Sequence, residues 1–174
     1  DYASDPINGI PVVVLDTMRS IPDARFVAAV GDSRLRRRAV SQLENIGFRS
    51  THIVHPRAEM SEWIDIGQGT LICAGNILTT NISIGSHVHV NLDCTIGHDV
   101  VIGDYSTLSP GCHISGNVHI GQDVFIGAGA TIINGSAAAP LTIGDGAIIA
   151  AGSCVITSVE PRALYAGVPA RRKR

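Results

Sequence analysis

The stretch that decides the fold is TIGHDVVIGDYSTLSPGCHISGNVHIGQDVFIGAGATI, from Thr95 to Ile132, in which an aliphatic residue recurs at every sixth position. The same spacing begins at Ile66 and runs without interruption to Ile132. Five extra residues then intervene, and the period resumes at Ile143 and ends at Val155. A fixed short period predicts a solenoid, because each repeat can bury its apolar residue only against neighbouring repeats.

Period six predicts a parallel β-helix. Each repeat supplies a short strand and a corner, and a glycine often follows the aliphatic residue, where the backbone turns most tightly. Three strands close a coil of eighteen residues, so residues eighteen apart stack in columns about 4.8 Å apart. We therefore expect about five coils. The five extra residues should loop out at a corner, where Asn134, Gly135 and Pro140 are suitable turn residues.

Upstream of the repeats, the pattern is that of a small α/β unit. The segments IPVVVLD and ARFVAAVGD predict buried strands, and STHIVHP predicts a third. Between them, SRLRRRAVSQLENIGF predicts a helix with Ser33 as N-cap and Gly47 at its C-terminal end. Its expected apolar face consists of Leu35, Ala39, Leu43 and Ile46.

Strand, helix and strand in this order indicate a partial Rossmann-like α/β domain over residues 1–54, with its first strand and helix missing. The β-helix is expected over residues 55–157, and a C-terminal tail over residues 158–174.

Composition excludes several classes of function. The net charge of −2 gives no electrostatic footprint for nucleic acid. No run approaches the roughly 18 apolar residues of a membrane span, so no membrane partner is expected. The four cysteines have no CxxC spacing, and no export signal opens the chain, so we expect reduced thiols and a cytoplasmic protein.

A histidine and an aspartate interrupt the apolar pattern at His98 and Asp99. A free imidazole titrates near neutrality, which suits a general base, and an adjacent carboxylate favours the imidazolium. Eighteen residues beyond His98 is Gly116, whose backbone N–H should lie one rung away at the same corner. A base beside a hydrogen-bond donor is what acyl transfer requires. On the residues alone, a solvated corner histidine is an equally open interpretation.

The whole chain resembles a known family. The segments INGIPVV, AVGDSRLRRR, HPRAEMS, IGHDVVIGDYSTLSPGCHISGNVHIG, GAGATIING and AGVPARR occur in the order found in hexapeptide-repeat sugar acetyltransferases. The match is to the branch with the sialic acid O-acetyltransferases and the N-acetyltransferases of nucleotide-linked 4-amino sugars. This resemblance implies a left-handed β-helix, a homotrimer with sites between subunits, and acetyl-CoA as co-substrate without a metal. It favours the amino group of a nucleotide-linked amino sugar as acceptor, with O-acetylation of a sialic acid-type sugar as the alternative.

The resemblance also implies roles for particular residues. His98 is then the base, Asp99 its acidic partner and Gly116 the backbone donor to the oxyanion. Many relatives carry a second histidine, which contacts acetyl-CoA, where this chain has Thr107. The remaining implied contacts are Ala128 and Ala151 with the pantetheine arm, Arg171, Arg172 or Lys173 with the coenzyme phosphates, and Gly31 and Asp1 with the sugar substrate.

Two rival functions remain open at this stage. The zinc hydratases of the gamma carbonic anhydrase type have similar coils but need two histidines five apart, and this chain has pairs spaced two, three and six. A trimeric scaffold without catalysis is the other rival.

The histidines at the sixth place of a repeat, such as His89, are expected to face outward or towards a subunit interface.

Overall fold

The computed structural model describes residues 6–18, 21 and 23–173, which form a small N-terminal unit and a long solenoid. The N-terminal unit contains α1 (Leu15–Met18), β1 (Arg25–Phe26), α2 (Ser33–Asn45) and β2 (Arg49–Ser50). The solenoid strands are β3 (Ile53–Val54), β4 (Glu59–Met60), β5 (Ile64–Ile66), β6 (Leu71–Ile72), β7 (Ile77–Leu78), β8 (Ile82–Ile84), β9 (His89–Val90), β10 (Thr95–Ile96), β11 (Val101–Ile102), β12 (Thr107–Leu108), β13 (His113–Ile114), β14 (Val118–Ile120), β15 (Phe125–Ile126), β16 (Thr131–Ile132), β17 (Leu141–Ile143), β18 (Ile148–Ile149), β19 (Cys154–Val155), β20 (Leu164–Ala166) and β21 (Arg171–Arg172).

In the N-terminal unit, α2 covers a parallel pair formed by β1 and β2. The N-cap of α2 is Asp32, whose carboxylate accepts a hydrogen bond from the Leu35 N–H at 2.9 Å, so the prediction of Ser33 is wrong by one residue. At the other end, Gly47 has φ of +96°, a conformation that glycine adopts without strain, and its predicted position past the helix end is confirmed.

The buried face of α2 differs from the predicted one. Arg36 and Val40 are buried and Leu43 is partly buried, whereas Leu35 is 58% exposed. The buried face of α2 therefore contains an arginine, Arg36, where only apolar side chains were expected. The reason is that α2 packs against the solenoid, which offers polar groups at that point rather than apolar ones.

Two predicted strands of the N-terminal unit are also corrected. The segment IPVVVLD forms no strand; it ends in the short α1, and Val13 and Val14 are largely exposed because no described strand pairs with them. The segment STHIVHP is split, since β2 pairs with β1 whereas β3 already pairs with β6 of the solenoid. A domain with the Rossmann-like sheet expected from the sequence is therefore not seen in the described residues.

The solenoid has three parallel faces. The first face contains β3, β6, β9, β12, β15, β18 and β20, with β21 added antiparallel; the second contains β4, β7, β10, β13, β16 and β19; the third contains β5, β8, β11, β14 and β17. The pairing offset is eighteen residues, as in Ile96 opposite Ile114. There are about six turns rather than five, because a turn without the glycine pattern begins at Ile53 and a last rung follows at Leu164.

The interior of the solenoid is one continuous apolar cluster. Ile102, Leu108 and Ile126 are at most 1% exposed, and Cys94 and Cys112 stack in the same interior with no exposure. Each fully buried aliphatic side chain contributes roughly 1.5–3 kcal/mol. The period-six prediction of the core is confirmed.

The extra residues loop out at one corner, as expected. Ser136 and Ala139 exchange two backbone hydrogen bonds of 3.1 Å, and the rungs pair normally on both sides of the loop. Within the described ranges, no helix combines the length and the apolar character needed to cross a membrane.

Candidate active site

The corner at which the second face turns into the third, formed by residues 97–100 and their rung neighbours, is called the His98 edge. The register of β10 with β13 places His98 opposite Gly116. A Cβ built on Gly116 would lie 2.5 Å from Nε2 of His98, so a side chain there would collide with the imidazole. The expectation that His98 and Gly116 share an edge one rung apart is confirmed.

The backbone at Gly116 offers a hydrogen-bond donor. Its N–H makes no hydrogen bond within the described part of the chain, whereas its carbonyl accepts from Gly135 N–H at 3.0 Å. The next N–H, that of Asn117, donates to the carbonyl oxygen of His98 at 2.9 Å and so holds the two rungs together. A spare N–H beside an imidazole is suited to stabilise negative charge on a reacting oxygen.

His98 and Asp99 form a hydrogen-bonded pair in contact with solvent. Nδ1 of His98 lies 2.7 Å from Oδ2 of Asp99, with the two side chains 57% and 48% exposed. The hydrogen bond from His98 holds the pKa of Asp99 below its ordinary value. Because a carboxylate can only accept, the proton lies on Nδ1, and Nε2 of the neutral ring is left as an acceptor facing Gly116.

The inserted loop rises at this same edge. Asn134 lies eighteen residues beyond Gly116 and therefore falls in the column of His98 and Gly116. The loop begins there and returns to the third face at Leu141. It consequently stands beside Gly116, on the side away from His98, as a wall of the edge.

A second polar cluster lies where α2 meets the first face. Arg36 is fully buried, and its guanidinium donates to the Val30 carbonyl at 2.9 Å, to Nδ1 of His89 at 2.8 Å and to Oγ1 of Thr107 at 3.0 Å. It also donates to the carbonyl of Tyr105. We call these five residues the Arg36 seam. The seam joins the N-terminal unit to β9 and β12 by a single side chain.

The charge states in the seam follow from burial. Burial lowers the pKa of Arg36 to about 10, so the side chain stays charged at neutral pH. Burial and then the charge of Arg36 lower the pKa of His89 to about 4, so this imidazole is neutral. Its Nδ1 accepts from Arg36, so its Nε2–H donates to the Ala28 carbonyl at 3.1 Å. His89 points out of the coil as expected, and α2 of the same chain covers it, so that it is buried.

Thr107 lies in this seam and not at the His98 edge. It is 6% exposed and belongs to β12 of the first face. Thr107 and Gly31 line a common cavity of about 390 Å³, together with Asp32 and Asp123. Thr107 occupies the position of the second histidine that contacts acetyl-CoA in relatives, and Gly31 is the predicted sugar contact. The structure places both beside one cavity, on a different side of the solenoid from His98. Asp1 lies outside the described residues.

Comparison with known proteins agrees with this architecture. The family description "Bacterial transferase hexapeptide (six repeats)" matches residues 99–134. The GDP-perosamine N-acetyltransferase of Escherichia coli O157:H7 is 33% identical over 174 residues, which is 99% of this chain and 79% of that protein. The chain belongs to the hexapeptide-repeat acetyltransferases of nucleotide-linked sugars.

Solved structures of this acetyltransferase family superimpose closely. WeeI from Acinetobacter baumannii AYE is 36% identical with a TM-score of 0.93, and the match covers 98% of this chain and 82% of that one. A mutant of perosamine N-acetyltransferase from Caulobacter crescentus, with asparagine in place of a histidine and in complex with CoA and GDP-perosamine, is 30% identical. Its TM-score is 0.91, and the match covers 99% of this chain and 81% of that one.

The remaining cofactor candidates of this acetyltransferase lie along the first face. Ala128 and Ala151 are exposed at the corner between the first and second faces, on adjacent rungs joined by the hydrogen bond from Gly152 N–H to the Ala128 carbonyl at 2.8 Å. Arg171 is exposed on β21 at the end of the same face. These three positions share one side of the solenoid, and the His98 edge is on another.

Two residues near the acetyltransferase sites were missed from the sequence. Arg36 was not among the predicted site residues, although its spacing of four from Val40 and seven from Leu43 placed it on the buried face. Asn81 was not among them either, although it lies eighteen residues before Asp99 and its side chain contacts that carboxylate. In both cases the spacing along the chain was the available signal: four and seven residues on a helix, and eighteen residues on the solenoid.

In the described ranges, no three side chains of His, Cys, Asp or Glu converge as a metal ion would require. A larger cavity of about 560 Å³, lined by Arg25, Phe48 and Arg49, lies at the outer side of the N-terminal unit and contains none of the predicted site residues.

Proposed function

We propose that the chain transfers the acetyl group of acetyl-CoA to the amino group of a nucleotide-linked amino sugar. The names of its relatives support this acceptor class, as does the complex of the Caulobacter relative with CoA and GDP-perosamine. The observation that carries the proposal is the free acceptor Nε2 of His98, held against the spare N–H of Gly116.

Transfer proceeds directly, without an acyl-enzyme. The amine nitrogen attacks the thioester carbonyl carbon, and Nε2 of His98 takes the amine proton as the C–N bond forms. The Gly116 N–H donates to the carbonyl oxygen as it gains negative charge. The C–S bond then breaks, and His98 returns the proton to the departing thiolate of CoA.

Asp99 fixes the protonation pattern of His98 that this cycle needs. By accepting from Nδ1–H it fixes the tautomer in which Nε2 is the basic nitrogen, and its negative charge stabilises the imidazolium while the proton is held. The lowered pKa of Asp99 keeps the carboxylate ionised throughout the neutral range.

The coenzyme requires a second copy of the chain. Ala128, Ala151 and Arg171 lie along the first face, away from the His98 edge of the same chain. We assign them to the pantetheine arm and phosphates, with the tail of residues 158–174 beside them. A homotrimer that sets this side of one subunit against the His98 edge of the next would complete three equivalent sites, with left-handed coils as in the resemblance.

The sugar nucleotide is assigned to the N-terminal unit, which precedes the acyltransferase coils. Gly31 supports this assignment because it lines the cavity of about 390 Å³ beside the solenoid, and Thr107 borders that cavity. Asp1 is assigned to the same substrate on the resemblance alone.

The test is an acetyl-transfer assay with acetyl-CoA and GDP-perosamine, following both CoA release and the mass of the sugar product. Wild-type protein should form the N-acetyl sugar without added metal and in the presence of a chelator. His98→Ala should lose at least about 100-fold in kcat, as removal of a general base implies, while acetyl-CoA binding by calorimetry is unchanged. His52→Ala, an exposed histidine outside the site, is the matched control.

Three results would overturn the proposal. They are near-normal turnover by His98→Ala, loss of activity on chelation with recovery on zinc, and absence of acetyl transfer by the wild-type protein to amino sugars linked to guanosine, uridine or thymidine diphosphate. Product acetylated only on a hydroxyl would favour the sugar O-acetyltransferase instead.

A further inference from the structure

Asn81 contacts the His98–Asp99 pair from the preceding rung. Asn81, Asp99 and Asn117 stack on successive rungs of the His98 edge, with φ values of +54°, +58° and +54°. Asparagine and aspartate are the non-glycine residues that tolerate this left-handed conformation most readily. The Asp99 N–H donates to the Thr80 carbonyl at 3.2 Å, so the corner backbones are in register.

The side chains of Asn81, Asp99 and His98 form a chain of two hydrogen bonds. Nδ2 of Asn81 donates to Oδ1 of Asp99 at 3.3 Å, and Oδ2 of the same carboxylate accepts from Nδ1–H of His98 at 2.7 Å. Both oxygens of Asp99 are therefore engaged, one on each side. The Asp99 side chain is 48% exposed, and these two hydrogen bonds orient its carboxylate.

We propose that Asn81 is a positioning residue for acetyl transfer, which holds the Asp99 carboxylate in the plane that directs Nε2 of His98 at the reacting amine. This inference rests on the proposed function of His98. Asn81 touches no reacting atom. It acts through Asp99, in the way that outer partners orient a catalytic histidine.

The electrostatics of the corner agree with this role. The hydrogen bond from His98 lowers the pKa of Asp99 most, and the amide of Asn81 lowers it further. The titratable group facing Asp99 is His98, since the adjacent rungs contribute Thr80, Asn81 and Gly116, which carry no charge. A charge introduced at position 81 would therefore be felt directly by the pair.

Two substitutions separate positioning from structure. Asn81→Gly removes the amide while keeping the left-handed backbone free of strain. It should lower kcat about fivefold, with the KM for acetyl-CoA unchanged and the melting temperature within about 2 °C of wild type. Asn81→Asp replaces the donor with a negative charge, which stabilises the imidazolium. It should move the acidic limb of the pH–kcat profile to higher pH by about half a unit.

The matched control is Asp23→Gly, at an exposed left-handed position of the N-terminal unit with φ of +56°, outside the cavity that Gly31 lines. Its kcat and the shape of its pH profile should match wild type. If both Asn81 variants also match wild type in kcat and profile, the positioning role is wrong while acetyl transfer by His98 stands. If wild type does not transfer acetyl groups, the proposed function fails first, before any variant is compared.

Discussion

Two histidines nine residues apart on one solenoid have opposite environments. His98 stands at an open corner with Asp99 on one nitrogen and Gly116 beside the other. His89 lies beneath α2, with Arg36 on one nitrogen and the Ala28 carbonyl on the other. The first keeps a free basic nitrogen, and the second has none.

The chemical properties of a histidine on this scaffold therefore depend on its hydrogen-bond partner, and not on its position in the repeat. A carboxylate partner takes the proton on Nδ1 and leaves Nε2 basic, which suits proton transfer. Burial and the charge of the guanidinium partner lower the pKa of His89, so its ring stays neutral at pH values well below its ordinary pKa. A neutral ring with both nitrogens hydrogen-bonded suits a fixed contact between two units. The His98 edge thus suits the proposed proton transfer, and the Arg36 seam helps to hold the N-terminal unit in place, beside the ion pair of Arg37 with Asp123.

The largest effect should come from breaking the seam. Arg36→Met leaves the buried acceptors Val30 O, His89 Nδ1 and Thr107 Oγ1 without a donor, which should destabilise the docked N-terminal unit by about 3 kcal/mol. Hydrogen exchange followed by mass spectrometry should show faster exchange in α2 and unchanged exchange in β10, β11, β13 and β14, which lie outside the seam.

The control for the seam is Arg38→Met, which removes the same charge from an exposed position of the same helix. It should leave exchange in α2 unchanged. Equal effects of the two substitutions would mean that net charge, and not the buried contacts, holds the unit.

A smaller effect is expected from crowding the His98 edge. In Gly116→Ala the added Cβ would lie 2.5 Å from Nε2, and because His98 is half exposed its ring can swing away without unfolding the coil. We expect kcat to fall about 30-fold, which is about 2 kcal/mol, with little change in melting temperature. In a His98→Ala background the methyl group should cost nothing further, and additive losses would place the effect of Gly116 elsewhere.

The smallest effect is the dependence of docking on pH. The pKa of His89 is lowered from an ordinary 6.5 to about 4 when buried, so its contribution is complete above pH 6.5 and is lost as the pH falls towards 4. The expected loss is about 1–2 kcal/mol at pH 5, seen as lower protection factors in α2 alone. His89→Gln can accept from Arg36 and donate to Ala28 without titrating, and it should abolish the dependence. A dependence that persists in this variant would point to another titrating group.

The solenoid was predictable because its determinants are local and repeated. Each inward residue, such as Ile96 or Ile126, meets the residue one coil away, so the spacing in sequence is the spacing in space. The adjacency of His98 and Gly116 followed from the same arithmetic. The number of turns was underestimated because the rungs at Ile53 and Leu164 pair normally without the glycine that signals a repeat.

The N-terminal unit was predicted less well because its structure depends on what it touches. IPVVVLD has strand composition but pairs with no described strand, so propensity alone could not place it. Arg36 reads as a surface residue, and it is buried only because the carbonyls and hydroxyl of the first face await it.

The sequence alone was enough to give the coil period, the columns of inward-facing side chains and the shared edge of His98 and Gly116. All three follow from a constant spacing along one chain. Only the tertiary structure decided that α2 covers His89, that Arg36 replaces an apolar contact, and that Thr107 and Gly31 face a cavity away from His98. The reason is that these contacts join segments some 50 to 75 residues apart with no common period. Such pairings depend on how two surfaces fit, and no spacing along the chain encodes that fit.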